Sequence, residues 1–212
     1  MTTHGPIVTR FPPTAQLSAH PSPNRKMPAP DGTMIGMSWT LMVSPLHLVA
    51  ADGGLEWAAE ASFSYGLPDA PPDARELPTV AEVVRVLREA GCHGDAWFRV
   101  PGHGLPTCPA PGDCASEDGL DLGEVGLQVE DSDEDLRPDQ AVDCVSFRKP
   151  SGRAALVAAT ALAAVAGPLV VFDDGLEAVV VVSPGDDPEV LAVLWPWWAD
   201  PRHSPTCRGA VR

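Results

Sequence analysis

The sequence predicts an α+β fold: a mostly antiparallel sheet of about six to seven strands with two to three helices packed on one face. Three observations carry that expectation. The segment PTVAEVVRVLREAG, residues 78–91, has an apolar stripe on one side and charges on the other, so it must lie against a second layer. Two Asp-Gly turns, at Asp52 and Asp174, stand between apolar runs and mark hairpins. An apolar share of 44% beside a charged share of 20% is the balance of a chain that buries a core.

The folded part is expected over residues 34–199 as a single domain. Residues 1–33 carry Pro6, Pro12, Pro13, Pro21, Pro23, Pro28 and Pro30 among small polar residues. That composition does not repay the entropy of ordering, so a disordered tail is expected. Met34 and Met37, just before the first strand-like run, are candidate translation starts. No export or targeting segment is recognisable in this stretch.

From residue 38, SWTLMVSPLHLV and LEWAAEASFSYGL read as two strands joined through AADGG, with Trp57, Ala59, Ala61, Phe63 and Tyr65 on one face. The first helix follows at 78–91, with Thr79 and Glu82 spaced as a capping box and Gly91 as its stop. DAWFRV, 95–100, is a short strand candidate leading into an irregular loop, 101–119, dense in Pro and Gly. LGEVGLQVE alternates Val125, Leu127 and Val129 with polar residues, and AVDCVSFRK, 141–149, returns as its antiparallel neighbour.

The most apolar stretch, 152–182, divides at Gly167-Pro168. Its first part is mainly alanine, a good helix former and a poor membrane anchor, and the break falls inside the roughly 20 residues that a membrane span needs. A buried helix of about 14 residues followed by a hairpin around Asp174-Gly175 is therefore expected. The uninterrupted valines 179–182 imply a central strand covered on both faces. A third helix is expected from Pro188, with Asp187 as its cap, up to Pro196. Residues 200–212 have no periodicity and are read as a second disordered tail.

A net charge of −15 opposes binding to nucleic acid and to anionic lipid, both of which need clustered Lys and Arg. Five cysteines at irregular spacing, without an export signal, point to reduced thiols and a cytoplasmic location. Cys92, His93, His103, Cys108 and Cys114 are weak candidates for a metal. Cys108 and Cys114 lie too far apart for a zinc knuckle, so neither a metal nor another cofactor is expected. The pairs Asp173/Asp174 and Asp186/Asp187 are explained by a hairpin and a helix start. No nucleophile elbow, phosphate loop or dinucleotide fingerprint is present.

Two features exceed this background. Between residues 113 and 143 stand twelve acids, Glu124, Glu130, Asp131, Asp133, Glu134 and Asp135 among them, against one base, Arg137. Charge so concentrated steers oppositely charged partners. Trp195, Trp197 and Trp198 cluster near the C-terminus, and tryptophan is favoured at interface hot spots. These nine residues are the candidate partner-binding set. The expectation is a non-enzymatic cytoplasmic protein that binds a basic protein. In profile alone it is similar to the bacterial immunity proteins that neutralise basic toxins. The alternative is an enzyme, or a metal- or small-ligand-binding protein, using the Cys and His residues of 92–114.

Overall fold

Apolar residues line up across neighbouring strands, and that register makes them one sheet. Val180, Val171, Val43, Val145 and Leu127 form a row across five strands, and Leu41, Phe147 and Val125 form a second row beside it. The computed structural model describes residues 39–51, 53–108, 119–129 and 136–199. All lie in the second of two units, Met1–Gly36 and Met37–Arg212. The expectations for 1–33 and 200–212, for most of the loop 101–119 and for the acidic run 130–135 lie outside the described residues.

In chain order the elements are β1 (Thr40–Pro45), α1 (Leu46–Ala51), α2 (Gly54–Ala59), β2 (Phe63–Tyr65), α3 (Val80–Glu89), β3 (His93–Ala96), β4 (Asp121–Val129) and β5 (Val142–Arg148). α4 (Gly152–Ala166), β6 (Leu169–Asp173), β7 (Ala178–Val182), α5 (Pro188–Leu194) and the single turn α6 (Pro196–Ala199) complete the chain. The strand order is β2-β7-β6-β1-β5-β4-β3. The α+β class holds, but the sheet is mixed. Its five inner strands pair antiparallel, whereas the edge strands β2 and β3 run parallel to their neighbours β7 and β4. A parallel pair needs a long crossover, and the 24 residues from 97 to 120 supply one between β3 and β4.

The helix starts and stops follow local chemistry. At α3 the Glu82 amide donates to Thr79 Oγ1 (3.3 Å) while Glu82 Oε2 accepts from the Thr79 amide (2.8 Å), a complete capping box. Ser151 Oγ accepts from the Ala154 amide at α4, which ends on Gly167 at φ 87°. Asp187 caps α5 with Pro188 in its first turn. Among the described residues no helix is long and apolar enough to cross a membrane.

The expected hairpin over 38–67 is replaced by a helical corner. Pro45 ends β1, the Leu46 amide turns to the Pro168 carbonyl, and the leucine- and alanine-rich residues that follow coil into α1 and α2. Gly53 does take positive φ (76°), but between two helices, and Gly54 sits so close to the Val49 carbonyl that a Cβ would fall 2.2 Å from it. Trp57 and Ala59 are thus helical and share no strand face with Phe63 and Tyr65.

Helices cover both faces rather than one. Residues of α3, α4 and α5 join the main core on the face that carries Leu41, Val43, Phe147 and Val171. Leu46 of α1 and Ala58 of α2 pack on Val170, Val179 and Val181 from the other side. β7 is accordingly buried at every position, although it lies next to the edge rather than at the centre.

Candidate functional site

Among the described residues, α1 and α2 pack on β6 and β7, Ser44 of β1 is buried beside them, and no buried cluster covers the same side of β5, β4, β3 and the Thr40–Met42 end of β1. One row on it runs through register partners: Thr40, Arg148, Glu124 and Asp95. A second row holds Met42, Ser146 and Gly126, the last two of them small residues. Arg148 Nη1 donates to Glu124 Oε2 at 2.7 Å. The Arg148 guanidinium also stands over the Trp97 ring, 5.8 Å from its centroid. Trp97 is nonetheless 68% exposed, the most of any aromatic side chain among the described residues.

Local backbone chemistry fixes this arrangement. The Trp97 amide donates to the Val125 carbonyl (2.8 Å), which anchors the residue just past β3. Gly123, the third residue of β4, has φ 65°, and a Cβ there would stand 2.1 Å from the Arg148 carbonyl, so only glycine lets the two strands approach at the Glu124–Arg148 pair.

Glu124 is thus the one acid of the candidate set that is described, and it is neutralised locally by Arg148. Glu130, Asp131, Asp133, Glu134 and Asp135 lie outside the described residues, between the end of β4 and Leu136. Trp195 and Trp197 turn inward. They are 1% and 2% exposed and pack edge to face at 4.9 Å between centroids. Trp197 Nε1 donates to the buried carboxylate of Asp173 (3.1 Å), which also accepts from the amides of Gly175, Glu177 and Ala178. Both rings therefore lack the solvent face that a partner contact requires. Pro196 breaks the chain after α5, and the aromatic segment folds back on its own core. Trp198 belongs to α6, and its side chain is outside the described set.

The Cys and His residues of 92–114 do not assemble. Cys92 is buried, and burial pushes its thiol up to about 11. His93 is buried too, with Nδ1 2.9 Å from the Leu120 carbonyl. His103 and Cys108 lie along the following loop, and Cys114 is outside the described residues. Among the described residues no group of three or more His, Cys, Asp or Glu side chains is placed to hold a metal ion. Cys144 is likewise pushed up by burial, an effect opposed by a hydrogen bond with Ser44.

Past the carboxyl end of β3 lies an open depression of about 620 Å³. Its walls are Phe98, Val100, Pro101, Leu136 and Pro138, with Arg99, His103 and Arg137 among them. The Leu136 amide donates to the Arg99 carbonyl (3.0 Å) and holds the two walls together. Arg137 makes a loose pair with Asp139 at 3.6 Å.

Trp97, Asp95 and Arg148 escape a reading based on clustered charge or clustered tryptophan. The strand expected over 95–100 is β3 at His93–Ala96, so Asp95 lies in it while Trp97 falls just past its end, where its amide bond to the Val125 carbonyl, and not strand alternation, places it. No family model, curated protein or solved structure matches the chain.

Proposed function

We propose that this protein is a non-enzymatic protein-binding module, that its contact surface is the uncovered face of β3, β4, β5 and β1, and that its partner is basic. The observation that carries the reading is Trp97, a large aromatic ring left mostly in solvent above a charged, uncovered sheet face. Interface hot spots are enriched in tryptophan and arginine. The net charge of −15, with twelve acids against one base over 113–143, adds long-range attraction for a cationic surface. Partner association is expected to weaken as salt rises from low to high ionic strength, because exposed charges are screened within about 8 Å at physiological salt. The test is recovery from native cells at two salt concentrations, comparing the wild-type chain with a variant carrying Lys at Glu130, Asp133, Glu134 and Asp135. Equal recovery of the same partner by both proteins refutes the reading.

A second reading rests on the depression lined by Arg99, His103 and Arg137. Its size and mixture of apolar walls with a few polar groups suit a small ligand, and the two guanidinium groups favour an anionic one. Titration with inorganic phosphate and with citrate, followed by thermal unfolding, tests it. A rise in Tm that Arg137→Ala abolishes supports the second reading, and no rise with either anion removes it.

A further inference from the structure

We propose that the exposed face of the Trp97 indole is a receptor for an arginine side chain of the partner, with the Asp95 carboxylate as its anionic companion. This rests on the protein-binding reading and specifies the chemistry of the contact. One side of the ring already shows the geometry, since the Arg148 guanidinium stands 5.8 Å from the ring centroid. That group is held in place and neutralised by Glu124 at 2.7 Å, so it braces the ring on one side instead of repelling an incoming cation. Trp97 is 68% exposed even with Arg148 over its ring, so indole surface remains for a second cation. Asp95 precedes Trp97 by two residues and is the register partner of Glu124, which places an exposed carboxyl group on the same face at the sheet edge.

Charge complementarity selects the occupant. A chain of net charge −15 attracts cations, and the Glu124 charge that would hold one is already spent on Arg148, which leaves Asp95 to pair with the newcomer. Arginine fits better than lysine. Its guanidinium is planar and weakly hydrated, so it stacks on an indole while its N–H groups donate within the guanidinium plane to a carboxylate, whereas an ammonium stays hydrated.

Fluorine NMR of the full chain labelled with fluorotryptophan, with the Trp97 signal assigned from Trp97→Phe, reads the contact directly. The probes are hexa-arginine and hexa-lysine peptides at low salt. Hexa-arginine is expected to move the Trp97 signal and to bind about threefold more tightly than hexa-lysine. Trp97→Ala is expected to bring the two peptides to equal affinity, and Asp95→Asn to weaken hexa-arginine. Because Trp97 is mostly exposed, the alanine variant retains the fold, which circular dichroism verifies. A Trp97 signal unmoved by hexa-arginine, or an arginine preference that survives Trp97→Ala, overturns the inference. If Trp97→Ala has no effect while the Lys variants at 130–135 lose the natural partner, the receptor is refuted and the wider reading stands. Unchanged partner recovery with those variants removes the wider reading itself.

Discussion

Replacing Asp173 by alanine removes one carboxylate that serves four donors. Gly175 and Glu177 are exposed, so their amides return to water at small cost. The Ala178 amide and Trp197 Nε1 are buried and have no such recourse. Each stranded buried donor costs about 1–3 kcal/mol, and relief of a desolvated charge offsets part of the total, so a loss of about 3–4 kcal/mol is expected. Asp173→Asn keeps an oxygen for one pair of donors but turns an NH2 toward the other pair, for a loss of about 2 kcal/mol. Asp174 is exposed, and Asp174→Ala is expected to stay within about 0.5 kcal/mol of wild type. Urea unfolding followed by far-ultraviolet circular dichroism measures all three. If Asp173→Ala were no worse than Asp174→Ala, the carboxylate would not be the knot that ties the β6–β7 turn to α6, and the reasoning would fail.

Gly123→Ala forces an alanine to φ 65° with its Cβ against the Arg148 carbonyl, so a loss above about 2 kcal/mol is expected in thermal unfolding, with faster amide exchange in β4 and β5. A wild-type Tm would exclude this. His47 is held below its ordinary value of 6.5 by burial and by the Arg75 charge. The folded state then resists protonation, so stability is full above pH 6.5 and declines as pH falls through the lowered pKa. His47→Gln is expected to flatten that part of the stability–pH curve, and an unchanged slope would count against it. Glu82 is held below 4.5 by the hydrogen bonds of the Thr79 amide and hydroxyl, so the capping box contributes above pH 4.5 and fails in acid. Thr79→Ala is expected to cost about 1 kcal/mol at neutral pH and less in acid. Cys92, with its thiol near 11, carries about one thiolate in a thousand at pH 8. Ellman's reagent should therefore reach half-exposed Cys108 well before Cys92 or Cys144, and simultaneous reaction of all three in the native protein would contradict their burial.

Local signals made some elements legible from the chain alone. The Thr79/Glu82 spacing, the Ser151 to Gly167 span of alanines, the Asp187-Pro188 start and the Asp174-Gly175 turn each act within a few residues, so α3, α4, α5 and the β6–β7 hairpin were readable. The alternation of Val125, Leu127 and Val129 likewise announced the β4–β5 pair. What failed was the hairpin expected through Asp52-Gly53, where the turn residues alone did not select the element that follows. Positive φ at Gly53 suits a hairpin and a helical corner equally, and only the burial of Leu46 and Ala58 against Val170, Val179 and Val181 decided between them.

The same division holds for the surface. Residue order determined the total charge, the acid-rich stretch and the cluster of tryptophans, because these are sums and neighbours along the chain. Tertiary structure decided which tryptophan meets water. Trp195 and Trp197 were drawn inward by α4 and Asp173, while Trp97 was left outside, with no helix among the described residues packed over β3, β4 and β5 on that side. Exposure depends on what packs above a residue, and that is set by segments remote in sequence.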